Sequence, residues 1–154
     1  MNGFTPGLLD RLMDERPEAW AGTPVTGEQL KDSVARDLEA LLNTRLAFDP
    51  AILHAYPEAR ASLLHYGLAD FASYCLTSSL DRAAVCASIK DAIETHEPRL
   101  REVSATLDVV PGSVNHLNFV IHARLAVAAA SEPVNFNAVL QPSSLHYAVR
   151  RTAR

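Results

Sequence analysis

Leu30, Val34, Leu38, Leu41 and Leu42 recur at the three- and four-residue spacing that gathers apolar side chains on one helix face. Just ahead of them, Thr26-Gly27-Glu28-Gln29 has the form of a capping box, in which a hydroxyl and a side-chain amide satisfy free backbone N–H groups. The pattern predicts a long helix opening at Thr26 and ending around Asn43-Thr44-Arg45. A second long helix is expected after Ser78 or Ser79, with Val85, Ile89, Ala92 and Ile93 on its buried face. It runs into Glu97-Pro98-Arg99. Proline holds the residue before it in an extended conformation, so the helix should stop near His96 and a strand begin about Arg99.

Beyond Pro98 the apolar period changes to two. Leu117, Phe119, Ile121, Ala123, Leu125 and Val127 alternate with Asn118, Val120, His122, Arg124 and Ala126, a strand with one buried face. Val103, Ala105, Leu107 and Val109 predict a partner strand joined through Pro111-Gly112-Ser113. Val134 to Leu140 and Leu145 to Val149 supply a third and a fourth strand, or one strand broken at Pro142. Between the long helices, Asp49-Pro50 restarts the chain. Tyr56-Pro57-Glu58 then opens a short helix carrying Leu63, Leu64 and Tyr66, with Gly67 as its C-terminal cap. Asp70-Phe71-Ala72 leads into a short turn. Thr5-Pro6 caps a brief amphipathic helix with Leu8, Leu9, Leu12 and Met13, followed by a looser stretch around Pro17, Trp20, Gly22 and Pro24. Residues 1–25 therefore read as a short helix and linker, and 26–154 as one domain. Helices first and strands later make that domain α+β, two longer helices and short ones packed on a small, mainly antiparallel sheet of three to four C-terminal strands.

At 154 residues the chain can bury a core without disulfides or a structural metal. A net charge of −4 lacks the basic excess of a nucleic-acid-binding domain, and no apolar run reaches bilayer-spanning length, so neither nucleic acid nor direct membrane insertion is expected. Met1 to Pro6 shows no basic or apolar leader, which sets the expected compartment as the cytoplasm. Cys75 and Cys86 match no zinc or redox spacing and read as free thiols.

No phosphate-binding loop, dinucleotide turn, nucleophile elbow or zinc helix is present, so no catalytic, cofactor or metal residue is assigned. His116 and His122 share a strand face, but six residues of strand separate them by about 20 Å, too far for one metal. Asp91, Glu94, Glu97, Glu102 and Asp108 cluster along the chain near the corner. A glycosidase needs two carboxylates about 5–5.5 Å apart for retention or about 6.5–9.5 Å apart for inversion, across a sugar cleft. Aromatic residues amount to only 6%, and Glu97 is expected at a solvated helix end. The corner itself has two readings. Glu97 and Arg99, fixed on either side of the Pro98 ring, form a docking feature, or Pro98 is a helix stop among surface charges.

Several separated pieces fall into one register: Leu8-Leu9-Asp10-Arg11-Leu12, Leu41-Leu42-Asn43-Thr44-Arg45, Tyr56-Pro57-Glu58, Ser62 to Tyr66-Gly67-Leu68-Ala69-Asp70, and Ile93 through Leu100. With Asn118-Phe119-Val120-Ile121 and Pro133-Val134-Asn135-Phe136, the series resembles the TssE family, small baseplate-wedge subunits of bacterial type VI secretion systems. That family is related to the wedge subunit that initiates the sheath in contractile phage tails. The resemblance implies a non-enzymatic assembly role that joins other wedge subunits (TssF/TssG-like) to the contractile sheath (TssB/TssC-like). It also implies that Glu97, Pro98 and Arg99 contact the helical core bundle of the wedge. Ala69 stands where the family usually has proline, and Gln141-Pro142-Ser143 departs from an acidic, glycine-containing connection. A lysozyme-like peptidoglycan hydrolase and a free protein-binding adaptor are the alternatives. For the sheath contact, the strand from Leu145 to Val149 is the candidate edge that another chain would extend.

Overall fold

The computed structural model describes residues 26–53, 55–60, 62–71, 74–75, 78–108, 117–127, 130–141, 144 and 146–152. The expected N-terminal helix, Trp20, Val109, the Pro111-Gly112-Ser113 connection and His116 lie outside the described residues.

Helix α1 spans Gly27–Asn43 and opens with the expected box: the Gln29 N–H donates to Thr26 Oγ1 at 3.2 Å, and the Thr26 N–H donates to Gln29 Oε1 at 2.9 Å. Its buried face carries Leu30, Val34, Leu38, Leu41 and Leu42. Two single-turn helices follow, α2 (Pro50–Leu53) and α3 (Pro57–Arg60), then a 3-10 turn at Leu63–His65. The expected continuous helix through Leu63 and Leu64 is therefore broken, and both leucines are exposed, at 85% and 47%. Ser62 supplies the reason: its hydroxyl donates to the Ala59 carbonyl at 2.7 Å and accepts the Leu64 N–H at 3.2 Å. Such local bonds compete with the helical ladder.

Gly67 does more than cap. Its φ is +122°, and a Cβ there would lie 2.5 Å from the Thr44 carbonyl oxygen. The close approach lets the Leu68 N–H donate to Thr44 O at 2.8 Å and the Leu46 N–H to Leu68 O at 3.0 Å. This short parallel bridge ties the connection to the end of α1.

Helix α4 spans Ser79–His96 and is capped by the Ser78 hydroxyl, which accepts from the Asp81 N–H. Strands β1 (Leu100–Asp108), β2 (Leu117–Val127), β3 (Ala130–Gln141) and β4 (His146–Arg151) form one antiparallel sheet in the order β1-β2-β3-β4. The domain is α+β, and the last two segments are separate strands. Helix α1 packs on β3 and β4, and α4 on β1. Alternation delivers Phe119, Ile121, Ala123, Leu125, Val134, Phe136, Ala138, Tyr147 and Val149 to the core beneath the helices. The Phe119 and Tyr147 rings lie 6.0 Å apart, and burial pushes the Tyr147 phenol up to about 12. A register shift between Arg101 and Ser104 interrupts the β1–β2 ladder, with Glu102 at φ +53°.

Candidate functional site

The corner is braced from inside. Glu97 closes α4: its N–H donates to Ile93 O at 2.8 Å, and its carbonyl accepts the Leu100 N–H that starts β1. Its side chain turns inward and the residue is 5% exposed, so the expected solvated carboxylate is in fact buried. Both carboxylate oxygens go to Arg99. Oε1 accepts Arg99 Nε at 2.7 Å and the Arg99 backbone N–H at 3.2 Å, while Oε2 accepts Arg99 Nη2. The same Nη2 donates to Asp37 Oδ2 on α1, and Nη1 lies 3.5 Å from the Ser33 hydroxyl. Hydrogen bonding to Glu97 and the two carboxylate charges hold the Arg99 guanidinium further into its charged form, against the opposing effect of burial.

A half-buried guanidinium shared by two carboxylates thus joins α1 to the α4–β1 corner. Asp37 was not legible as part of it, because nothing in the local pattern shows which turn of α1 meets residue 99. Pro98 stays exposed at the apex, beside the remaining accessible flank of Arg99. The planar fork of Arg99 is therefore spent largely within the molecule rather than held out for a partner.

Other candidate chemistry does not converge on the corner. His122 Nδ1 is bonded to Asn135 Oδ1 at 2.8 Å on the open face of the sheet. Asp91 pairs with Arg60, and Glu94 faces Lys90. Among the described residues, no group of three or more metal-ligating side chains forms a cation site, and no helix is long and apolar enough to cross a membrane.

Residues 28–130 match the family of the baseplate wedge protein gp25. The chain belongs to that family. One solved chain from "The baseplate complex from the type VI secretion system" is similar at 19% identity, with a TM-score of 0.48, covering 74% of this chain and 96% of that one. No curated protein matches.

The span matched to the gp25 family runs from α1 through the corner, β1 and β2 to the first residue of β3. The corner lies inside it, while β4 lies beyond it. Strand β4 is a true edge, as expected, but α1 already covers part of it. The Asn43 amide donates to Tyr147 O and accepts the Tyr147 N–H, both at 2.8 Å, and the Val149 N–H donates to Glu39 Oε2 at 2.8 Å. At the opposite edge, the partly buried Cys86 thiol of α4 lies near the Leu107 backbone of β1. Helix side chains thus occupy backbone groups on β4, one way a small sheet limits unwanted pairing.

Proposed function

We propose that this member of the gp25 family is a non-catalytic assembly subunit of a type VI secretion baseplate, working in the cytoplasm. In this reading it joins TssF/TssG-like wedge subunits to a TssB/TssC-like sheath. The family match across α1 and the corner is the observation that carries it, since that span includes Asp37, Glu97, Pro98 and Arg99. In the wedge contact, Glu97 acts as the brace. It fixes Arg99 against Asp37 so that the Pro98 ring, the Asp37 carboxylate and the open flank of Arg99 form one preorganised docking edge.

The decisive experiment is co-purification with wedge and sheath subunits, with Pro98→Ala and Asp37→Asn variants run beside thermal melts. Loss of wedge subunits from a variant that stays folded supports the docking edge. Normal recovery of the wedge by both folded variants counts against it. Purified protein incubated with peptidoglycan should release no muropeptides, and turnover abolished by Glu97→Gln in a folded protein would reverse the non-catalytic assignment.

For the sheath contact we propose strand addition along β4. An arriving strand has to replace the Asn43 and Glu39 side chains, so these residues gate the edge. Glu39→Ala frees the Val149 N–H and should increase sheath recruitment without changing wedge binding. Unchanged or reduced recruitment would place the sheath contact elsewhere. Proline at Tyr147 is the poorer test, because that residue is only 1% exposed and packs on Phe119.

A further inference from the structure

Between the buried Leu53 and Leu68, α3 and the Leu63–His65 turn form a strap beside α4. Its far end is fixed: the Leu68 backbone bonds to Thr44 and Leu46, and Gly67, at φ +122°, supplies the bend just before it. The strap itself is lightly held. Among the described residues from 55 to 67, His65 carries the only buried side chain. A cavity of about 340 Å³ remains between the strap and α4, lined by His65 and by Ala87, Ser88 and Ala92. Arg60 of the strap pairs with Asp91 of α4 at 3.3 Å, with roughly half of each side chain open to solvent. His96 Nε2 donates to the His65 carbonyl at 2.9 Å, since a carbonyl oxygen only accepts, and the Tyr66 and His96 rings meet edge-on at 5.3 Å. The seating of the strap therefore depends heavily on one imidazole.

That imidazole has no room for a second proton. A neutral ring leaves one nitrogen bare, whereas an imidazolium carries an N–H on both. His65 Nδ1 is closed to solvent and has no hydrogen-bond partner. A bare nitrogen there wastes only an acceptor. A cationic N–H with nothing to receive it is far more costly. The surroundings do not offset that cost. Among the described residues, the charges acting on His65 are Asp91, His96 and Arg60. Asp91 favours the cation, but it is already paired with Arg60, which disfavours it. The His96 ring, 6.0 Å away, disfavours it as well. His96 can itself become charged without losing its bond, because its Nε2 donates in both protonation states.

We propose that His65 is an acid-released latch: when it takes up a proton, the strap from 55 to 67 swings away from α4 while α1 and the sheet stay folded. Leu53 and the Leu68 bridge remain as the fixed ends, and Gly67 absorbs the change of direction. Opening uncovers the wall of α4 at Ala87, Ser88 and Ala92 and carries the exposed Leu63 and Leu64 to a new position. The protein thus presents a different surface in acid. This device goes beyond the assembly reading and is independent of it, using neither the corner nor the sheet edge.

The full chain, labelled with nitrogen-15, is followed by amide hydrogen exchange from pH 7.5 to pH 5.5, with each rate corrected for the pH dependence of chemical exchange. Opening that takes up one proton grows up to tenfold per pH unit below the ordinary histidine value of 6.5. Protection of the His65 and Tyr66 amides, which donate to Ser62 and Leu63 carbonyls, should fall several-fold and by up to about tenfold. Leu38 and Leu41 in α1 should keep their protection. His65→Gln should remove the pH dependence, whereas His96→Gln should retain it. In the unaltered chain, NMR titration of the His65 ring should follow the loss of strap protection. Four outcomes overturn the proposal: strap protection independent of pH, α1 amides opening in step with the strap, a pH dependence that survives in folded His65→Gln, or a His65 ring that takes up its proton while the strap stays protected. The last is read without any substitution, so a variant that fails to fold does not shelter the proposal.

Discussion

Arg99 illustrates how a residue's surroundings change the meaning of its charge. Read from its neighbours in the chain, it is a surface guanidinium whose removal costs within about 0.5 kcal/mol. In the fold it neutralises Glu97, whose side chain is only 6% exposed, and reaches Asp37 sixty-two positions away. Arg99→Ala should therefore destabilise the domain by about 2–3 kcal/mol, somewhat less than breaking a fully buried ion pair, because Arg99 itself remains partly solvated. Adding Glu97→Leu should recover part of that loss, since no buried carboxylate is then left unpaired. Urea unfolding of both variants checks this, and a single variant as stable as wild type would show that the brace carries no stability.

His65 gives the same scale a pH dependence. Burial lowers its pKa from the ordinary 6.5, with Asp91 opposing the effect and His96 and Arg60 adding to it. The unfolded chain then takes up its proton first as pH falls. Stability contributed by neutral His65 is complete above pH 6.5 and declines from there towards the lowered native value. His65→Gln should flatten the fall in melting temperature between pH 7 and pH 5. An unaltered slope would assign that acid sensitivity to other groups.

Among the elements, α1 is both a core helix and the cover of a sheet edge. Its apolar stripe and capping box follow from local pattern, because i, i+3 and i+4 positions share a face whatever lies opposite. Its polar positions are different. Asn43 sits at the last turn, where asparagine reads as a helix end, yet its amide meets the Tyr147 backbone as another strand would. Asn43→Ala should cost about 2 kcal/mol by leaving a buried donor and acceptor unpaired. Asn43→Asp, which can accept from the Tyr147 N–H but cannot donate to its carbonyl, should fall between. Chemical denaturation ranks the three proteins, and equal stability would mean that solvent replaces the amide freely. The break at Ser62 was equally hard to read, because hydroxyl-to-backbone competition depends on the exact turn. The strands were more legible: alternation alone located β2, and of the two readings of the C-terminal segments the one with separate third and fourth strands holds.

At the scale of the whole molecule, the two thiols report on how the core is closed. Cys75 is exposed, whereas Cys86 is partly buried against the sheet, where desolvation raises its pKa against the opposing influence of the Leu107 backbone. The thiolate is the reactive form, so Cys75 should alkylate well before Cys86 in the native protein, and denaturation should bring the rates together. Mass spectrometry of quenched labelling reads both sites. Equal native rates would show that α4 opens readily from β1. Outside the core, Arg151 pairs with Asp32 at 2.9 Å and Lys31 with Glu132 at 2.7 Å, linking the start of α1 to β4 and β3. Pairs this exposed contribute little each, so the orientation of α1 rests mainly on its buried leucines.

By itself the sequence determined the α+β class, both long helices with their caps, the strand periods and the likeness to baseplate-wedge proteins. Each depends on residues close together in the chain, or on their order. It also marked Glu97, Pro98 and Arg99 as a corner. Only the tertiary structure decided that Glu97 faces inward, that Asp37 and Ser33 join Arg99, that Asn43 and Glu39 cover β4, and that His65 meets Arg60 and Asp91 at a cavity. Those partners lie on different elements, and their meeting depends on how the helices settle on the sheet. Periodicity specifies which face of a helix is buried, but packing decides which side chain on the opposite element it meets.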